Sequence, residues 1–147
     1  MNRKGPIAGF CIAFFISVAA CFPLSAQQQY AISGTVAYTG EGPIYVYLVD
    51  EEIARVPFTG IQTLVLTPDE PYGGLPFTFT GITTGTYGVR CFQDTNGNGE
   101  LDRAVFGPKE PWGMSWQGEK PQKWPRWDDF SFELKTNISG ITIVLGE

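Results

Sequence analysis

The residues Gly85-Thr86-Tyr87-Gly88-Val89-Arg90-Cys91-Phe92 lead through Gln93 into Asp94-Thr95-Asn96-Gly97-Asn98-Gly99-Glu100-Leu101-Asp102, and the two halves obey different rules. In the first half Tyr87, Val89 and Cys91 fall on one face at a period of two, which reads as a strand. The second half has oxygen-bearing side chains at alternating positions and glycine at the sixth, the arrangement a tight loop needs to wrap a hard cation such as calcium. Asp94, Asn96 and Asn98 would offer side-chain oxygens, Glu100 its backbone carbonyl, and Asp102 a carboxylate or a bridging water. Two of these ligands are neutral amides, and Val105 stands where a bidentate acid is usual, so modest affinity is expected, with Asp128 or Asp129 as candidates to complete the shell. An ion-free hairpin is the alternative, because Asn-Gly is a strong turn signal and occurs here twice.

Upstream, Tyr30 to Tyr38 alternates with Ile32, Val36 and Tyr38 on one face, and Thr39-Gly40-Glu41-Gly42-Pro43 forms a turn. Ile44-Tyr45-Val46-Tyr47-Leu48-Val49 is apolar on both faces, as a central strand must be. Asp50 to Arg55 could form one helical turn, but Pro57 and the β-branched run beyond it keep any helix short, and the segment is read as a loop. Thr63-Leu64-Val65-Leu66 is expected as a short edge strand, Thr67 to Gly74 as a turn, and Phe77 and Phe79 as the inward residues of another strand. Downstream, Phe106 to Trp127 is too rich in proline and glycine for regular structure and holds all four tryptophans, Trp112, Trp116, Trp124 and Trp127. Its length exceeds the roughly 12 to 15 residues of an ordinary connection, which marks a packed or functional loop. Phe130 to Leu134 and Ile138 to Leu145 supply closing strands, separated by Thr136-Asn137. The expected fold is all-β: an antiparallel β-sandwich of about seven strands, Ig-like in its layering.

Residues 1–26 read as a signal peptide: Arg3 and Lys4, an apolar run from Ile7 to Ala20, and Leu24-Ser25-Ala26 before Gln27. The run is shorter than the roughly 18 to 20 residues of a membrane anchor. Cleavage after Ala26 leaves 27–147 as a single domain, periplasmic or extracellular. A lipoprotein acylated at Cys21 is the alternative, since Val18-Ala19-Ala20-Cys21 resembles the bacterial acylation box. Cys11 and Cys21 leave with the leader, so Cys91 has no partner for an internal disulfide and is read as a small buried apolar residue.

Loss of Arg3 and Lys4 moves the net charge from −5 to about −7. An acidic surface disfavours nucleic acid and suits divalent cations. The chain has no histidine, which removes the commonest general base and zinc ligand and excludes hydrolases of the Ser-His-Asp or His-rich metal type.

The run Phe79-Thr80-Gly81-Ile82, Gly85-Thr86-Tyr87, Asp94 to Asp102 and Phe106-Gly107-Pro108-Lys109-Glu110-Pro111-Trp112-Gly113-Met114-Ser115 resembles a family of exported bacterial proteins, domain of unknown function 2141. The Gly-Thr-Tyr corner recurs across prealbumin-like domains, and the added loop and Glu-Pro-Trp-Gly segment make the resemblance specific. It implies a prealbumin-like sandwich without an established activity. Members often carry histidine just before the loop's first aspartate, where this chain has Gln93.

The expected function is that of an exported, non-catalytic, monomeric module with a calcium loop, in a ligand-binding or structural role in the cell envelope. Its partner would be a saccharide stacked on Trp112, Trp116, Trp124 or Trp127, or an envelope protein. The competing explanation for the tryptophans is packing over an open end of the sandwich. Two alternatives remain: a carbohydrate-active enzyme pairing Asp128-Asp129 with Glu110 or Glu119, and an accessory domain of an envelope assembly.

Overall fold

The computed structural model describes residues 27–105, 107–122 and 124–146. The expected signal peptide, with its cleavage site and Cys21, lies outside the described residues. In chain order the elements are β1 (Tyr30–Thr39), β2 (Ile44–Val49), α1 (Glu51–Ala54), β3 (Gln62–Leu66), β4 (Tyr72–Ile82), β5 (Gly85–Gln93), β6 (Arg103–Ala104), β7 (Gly107–Pro108), β8 (Trp112–Met114), a 3₁₀ turn (Trp127–Asp129), β9 (Ser131–Leu134) and β10 (Ile138–Val144). Among the described residues, no helix is long and apolar enough to cross a membrane.

Two sheets form the body. One has the order β10-β1-β4; the other runs β3-β2-β5-β8, with β9 also pairing β5, and β6-β7 is a separate small hairpin. The architecture is the expected all-β, sandwich-like one, with no closed barrel. Between the sheets lie Ile32 and Val36 of β1, Phe77 and Phe79 of β4, Ile143 of β10, and, facing them, Ile44, Val46 and Leu48 of β2, Val89 and Cys91 of β5 and Leu134 of β9. Ile32, Val36, Phe77, Phe79, Val89 and Cys91 are the residues that alternation placed on one face of their strands, so apolar burial sets the register there.

Four expectations change. β1 and β10 pair in parallel, Val36 opposite Ile143, because the chain returns to that edge from the far sheet and not through a hairpin. β4 starts at Tyr72, inside the stretch read as a turn, because its residues through Gly74 complete the ladder with β1. Asp50 to Arg55 is one helical turn: Asp50 Oδ1 accepts the Ile53 N–H at 2.8 Å, an N-cap that the proline beyond does not prevent. Regular structure also enters Phe106 to Trp127, as β7, β8 and the start of the 3₁₀ turn.

The five-stranded sheet is buried on both faces, as the composition of β2 required. Its outer face carries Tyr47 and Val49 of β2 and Phe92 of β5, covered by Phe58, Leu101, Trp112, Met114, Trp116, Trp127 and Phe130. The edge of β5 is shared: Arg90 to Phe92 pair with β8, and Gly85 to Gly88 pair with β9. Between β8 and β9 the chain leaves the sheet and folds over the outer face. Ser115 ties the neck of this excursion, its hydroxyl donating to Phe130 O at 2.7 Å and accepting the Val89 N–H at 2.9 Å. Gly113 faces inward, where a Cβ would stand 2.7 Å from the Ile143 methyl, so its neighbours Trp112 and Met114 face outward.

Candidate functional site

Two features meet on the outer face: the Asp94 loop and an aromatic cavity. The loop begins where β5 ends. Asp94 is buried, and its Oδ1 accepts the N–H groups of Gly97 (2.8 Å) and Asn98 (3.2 Å), while Oδ2 accepts that of Gly99 (2.8 Å). Gly97 and Gly99 have φ of 74° and 78°, a region costly for other residues, and this lets consecutive amides turn toward one carboxylate. Asn96 Oδ1 accepts from the Asn98 N–H at 3.0 Å, and Asn98 Oδ1 from the Glu100 N–H at 2.8 Å. Both amide groups also reach Asp102, Asn96 Nδ2 donating to Oδ2 at 2.6 Å and Asn98 Nδ2 to Oδ1 at 3.4 Å.

Glu110, next to the β6-β7 hairpin, clamps both ends of the loop. Its Oε1 accepts the Thr95 N–H at 2.9 Å and its Oε2 the Asp102 N–H at 3.1 Å, and the side chain is buried. Glu110 is therefore engaged as a structural acceptor, separate in its contacts from the Asp128-Asp129 pair proposed as its catalytic partner. Asp129 Oδ2 instead accepts the Arg126 N–H at 2.7 Å at the 3₁₀ turn, Asp128 is exposed, and Glu119 is exposed. The structure thus gathers Asp94, Asn96, Asn98 and Asp102, while the Glu100 side chain stands in solvent. All the gathered donor atoms suited to a cation are oxygens, the chemistry a calcium ion takes. Among the described residues no group of three or more His, Cys, Asp or Glu side chains is arranged to hold a metal, so any such site would draw on the two asparagines.

The cavity has a volume of about 500 Å³. Its walls include Trp112, Trp124, Trp127, Phe58, Met114 and Phe130. Of the four tryptophans read as binding candidates, the structure brings three to it. Trp116 is absent from the lining, packed edge-to-face against Trp112 and Phe130 at 6.0 and 6.4 Å between ring centres. Trp116 is therefore half of the packing explanation, and Trp124, 65% exposed, is the least explained by packing.

The floor is Arg90, 5% exposed. Its side chain points away from Cys91, because successive residues of a strand face opposite ways. Arg90 donates to the carbonyls of Ala54 (3.1 Å), Val56 (2.6 Å), Thr59 (2.7 Å) and, at 3.4 Å, Ile53, and so organises the segment after α1. Burial pulls its pKa down to about 10, which leaves it charged at neutral pH. A charged residue in a strand flanked by apolar ones was the available signal, because such a side chain must find internal partners. Gln93, also fully buried, reaches Gly42 O only at 3.5 Å, and its Oε1 has no partner among the described residues.

Phe58 lies between the loop and the cavity with φ of 40°, unusual for an aromatic residue. The guanidinium carbons of Arg90 and Arg103 stand 5.5 and 5.7 Å from its ring centre. Arg103 follows Asp102 directly, so the loop and the cavity share a boundary one residue wide. Cys91 takes no part. It is fully buried on the inner face, and burial pushes its thiol well above its ordinary range.

These features lie within the span of one family. The family described as "Uncharacterized protein conserved in bacteria (DUF2141)" matches residues 38–141, which include the Asp94 loop, Glu110 and all four tryptophans. The chain belongs to that family. No curated protein and no solved structure matches it. Membership covers both sheets from the end of β1 into β10, and it brings no activity with it.

Proposed function

We propose that this chain is an exported, non-catalytic module of the bacterial cell envelope that binds a small ligand in its aromatic cavity, beside a loop stiffened by calcium. The observation that carries the reading is the cavity itself: three tryptophans gathered over about 500 Å³, within the size range of small-molecule sites. The choice of a non-catalytic role rests on what the acids do. Glu51 lines the cavity but is paired to Arg55 at 2.8 Å, and Glu110 spends both oxygens on backbone amides. Among the described residues Glu51 is the one carboxylate lining the cavity, so no pair of acids stands there to divide acid and base roles.

For the ion, Asp94 and Asp102 would supply carboxylate oxygens, Asn96 and Asn98 amide oxygens, and Glu100 its backbone carbonyl. Bound calcium supplies positive charge to a loop whose carboxylates otherwise rely on amide N–H groups. Asp102 is the residue with most to gain, since its two oxygens are met only by side-chain amides. With two neutral ligands, a dissociation constant of about 10⁻⁴ to 10⁻³ M is expected, as in other extracellular modules. Millimolar calcium then adds about 0.4 to 1.4 kcal/mol by mass action.

The test is thermal unfolding with calcium and with chelator, alongside calorimetric titration, on the parent and on Asp102→Ala. The parent should gain stability and release measurable heat, and Asp102→Ala should do neither. Equal midpoints with silent calorimetry would leave the ion-free hairpin as the correct description of the loop.

A further inference from the structure

The cavity's charges do not match those of the chain around them. Three guanidiniums, Arg55, Arg90 and Arg103, line it together with a single carboxylate, Glu51, in a protein of net charge −5. Glu51 is committed to Arg55. That leaves Arg90 and Arg103, and neither forms an ion pair with a carboxylate among the described residues.

The two remaining cations differ in what they offer. Arg90 is fixed at the floor by four backbone carbonyls, whose dipoles solvate its charge without neutralising it. Arg103 is exposed and so accessible to a ligand, yet both guanidiniums are drawn to the one Phe58 ring. Like charges gathered in this way repel, and the arrangement is relieved by an anion. Phe58 itself is held in a sparsely populated backbone region, and strain of that kind gathers at ligand sites.

Around these charges stand flat aromatic surfaces. Trp112 and Trp127 are half-buried, and Trp124 leaves most of its surface in solvent. An indole held at the mouth of a cavity offers a face to a ring, and a guanidinium offers paired N–H donors to a carboxylate. We propose that the cavity takes a ring-bearing carboxylate, its ring against Trp124 and its carboxylate on the Arg103 guanidinium, with Arg90 supplying the fixed positive field beneath. The ring is that of an acidic sugar or of an aromatic acid. This inference rests on the reading of the cavity as a binding site and adds the sign and shape of what it binds.

The experiment is calorimetric and tryptophan-fluorescence titration of the purified protein with four probes: digalacturonate, its neutral methyl ester, phenylacetate and neutral phenylacetamide. At least one acid should bind, tenfold or more tighter than its neutral counterpart, and its affinity should fall as salt is raised. Binding by digalacturonate alone assigns a sugar acid, and binding by phenylacetate alone an aromatic one. Arg103→Gln should weaken the acid tenfold or more and bring it level with the neutral probe, whereas Trp124→Ala should weaken both members of the pair. Equal binding of an acid and its neutral partner, or unchanged acid affinity in a folded Arg103→Gln, would overturn the anionic ligand but keep the cavity as a binding site. Silence from all four probes with the parent intact would overturn both.

Discussion

The two faces of the five-stranded sheet are closed by different means. Its inner face meets a second sheet, and the contact is made almost wholly by aliphatic residues and phenylalanine: Val46, Leu48, Val89 and Leu134 against Ile32, Val36, Phe79 and Ile143. Its outer face meets loops, and the contact is aromatic, from Tyr47 and Phe92 to Trp112, Trp127 and Phe130. Loops bring backbone groups that no ladder satisfies, so the outer face must also supply polar side chains. Arg90, Ser115, Glu110 and Asp94 do this, and all four are buried. A face closed by a sheet needs only alternation; a face closed by loops needs individually placed hydrogen bonds, and it is there that a cavity can remain open.

The sharpest way to break this contrast is truncation on each side. Phe79 is fully buried between the sheets, and Phe79→Ala should cost about 3 to 5 kcal/mol, measured by denaturant unfolding. The same truncation at exposed Trp124 should stay within about 0.5 kcal/mol. Comparable losses at the two positions would mean that the outer layer is as integral to the fold as the inner one.

Next in size is the polar tie itself. Arg90→Met preserves much of the side-chain volume but strips the carbonyls of Ala54, Val56 and Thr59 of their donor. The expected cost is about 2 to 3 kcal/mol, with hydrogen exchange accelerated first in residues 51–61. Arg90→Lys should recover only part, because one ammonium cannot reproduce the planar fork that reaches several carbonyls at once. Uniform acceleration across both sheets would show that Arg90 serves the whole domain and not the loop.

The same contrast explains what could be read from the sequence. The inner face was legible because Ile32, Val36, Phe77, Phe79, Val89 and Cys91 announce it by period alone, and β2 announced two buried faces by being apolar throughout. The Asp94 loop was legible as a loop because its side chains bond within a few residues of one another. Glu110 was not, since nothing local links it to Thr95, fifteen residues back. Arg90 and Ser115 escaped for the same reason: their partners lie 15 to 37 residues away, and only the fold brings them together. The crowding of tryptophans signalled a specialised region, but which three would share a cavity depended on Gly113 turning its neighbours outward and on Ser115 closing the neck.

The smallest effect belongs to the inner face and tests whether it is as dry as its residues imply. Cys91 is fully enclosed there, and burial raises its thiol above the ordinary 9.0, with the Gly113 carbonyl contact a lesser influence. In the folded chain the thiol keeps its proton where the unfolded chain releases it. The stability tied to that proton is therefore complete below pH 9 and declines as pH rises past it. Between pH 9 and 10 the loss should amount to about 1 kcal/mol, since only the unfolded chain titrates across that interval. Tyr47, also raised by burial, acts in the same direction near the upper end of this window, whereas Arg90, lowered to about 10, acts oppositely beyond it, so the measurement belongs below pH 10. Denaturant unfolding at pH 8, 9 and 10 on the parent and on Cys91→Ala should give a steeper decline in the parent, whatever the absolute cost of the substitution. Identical slopes would mean that water reaches the thiol, and the inner face would then differ from the outer one in composition but not in how well it is sealed.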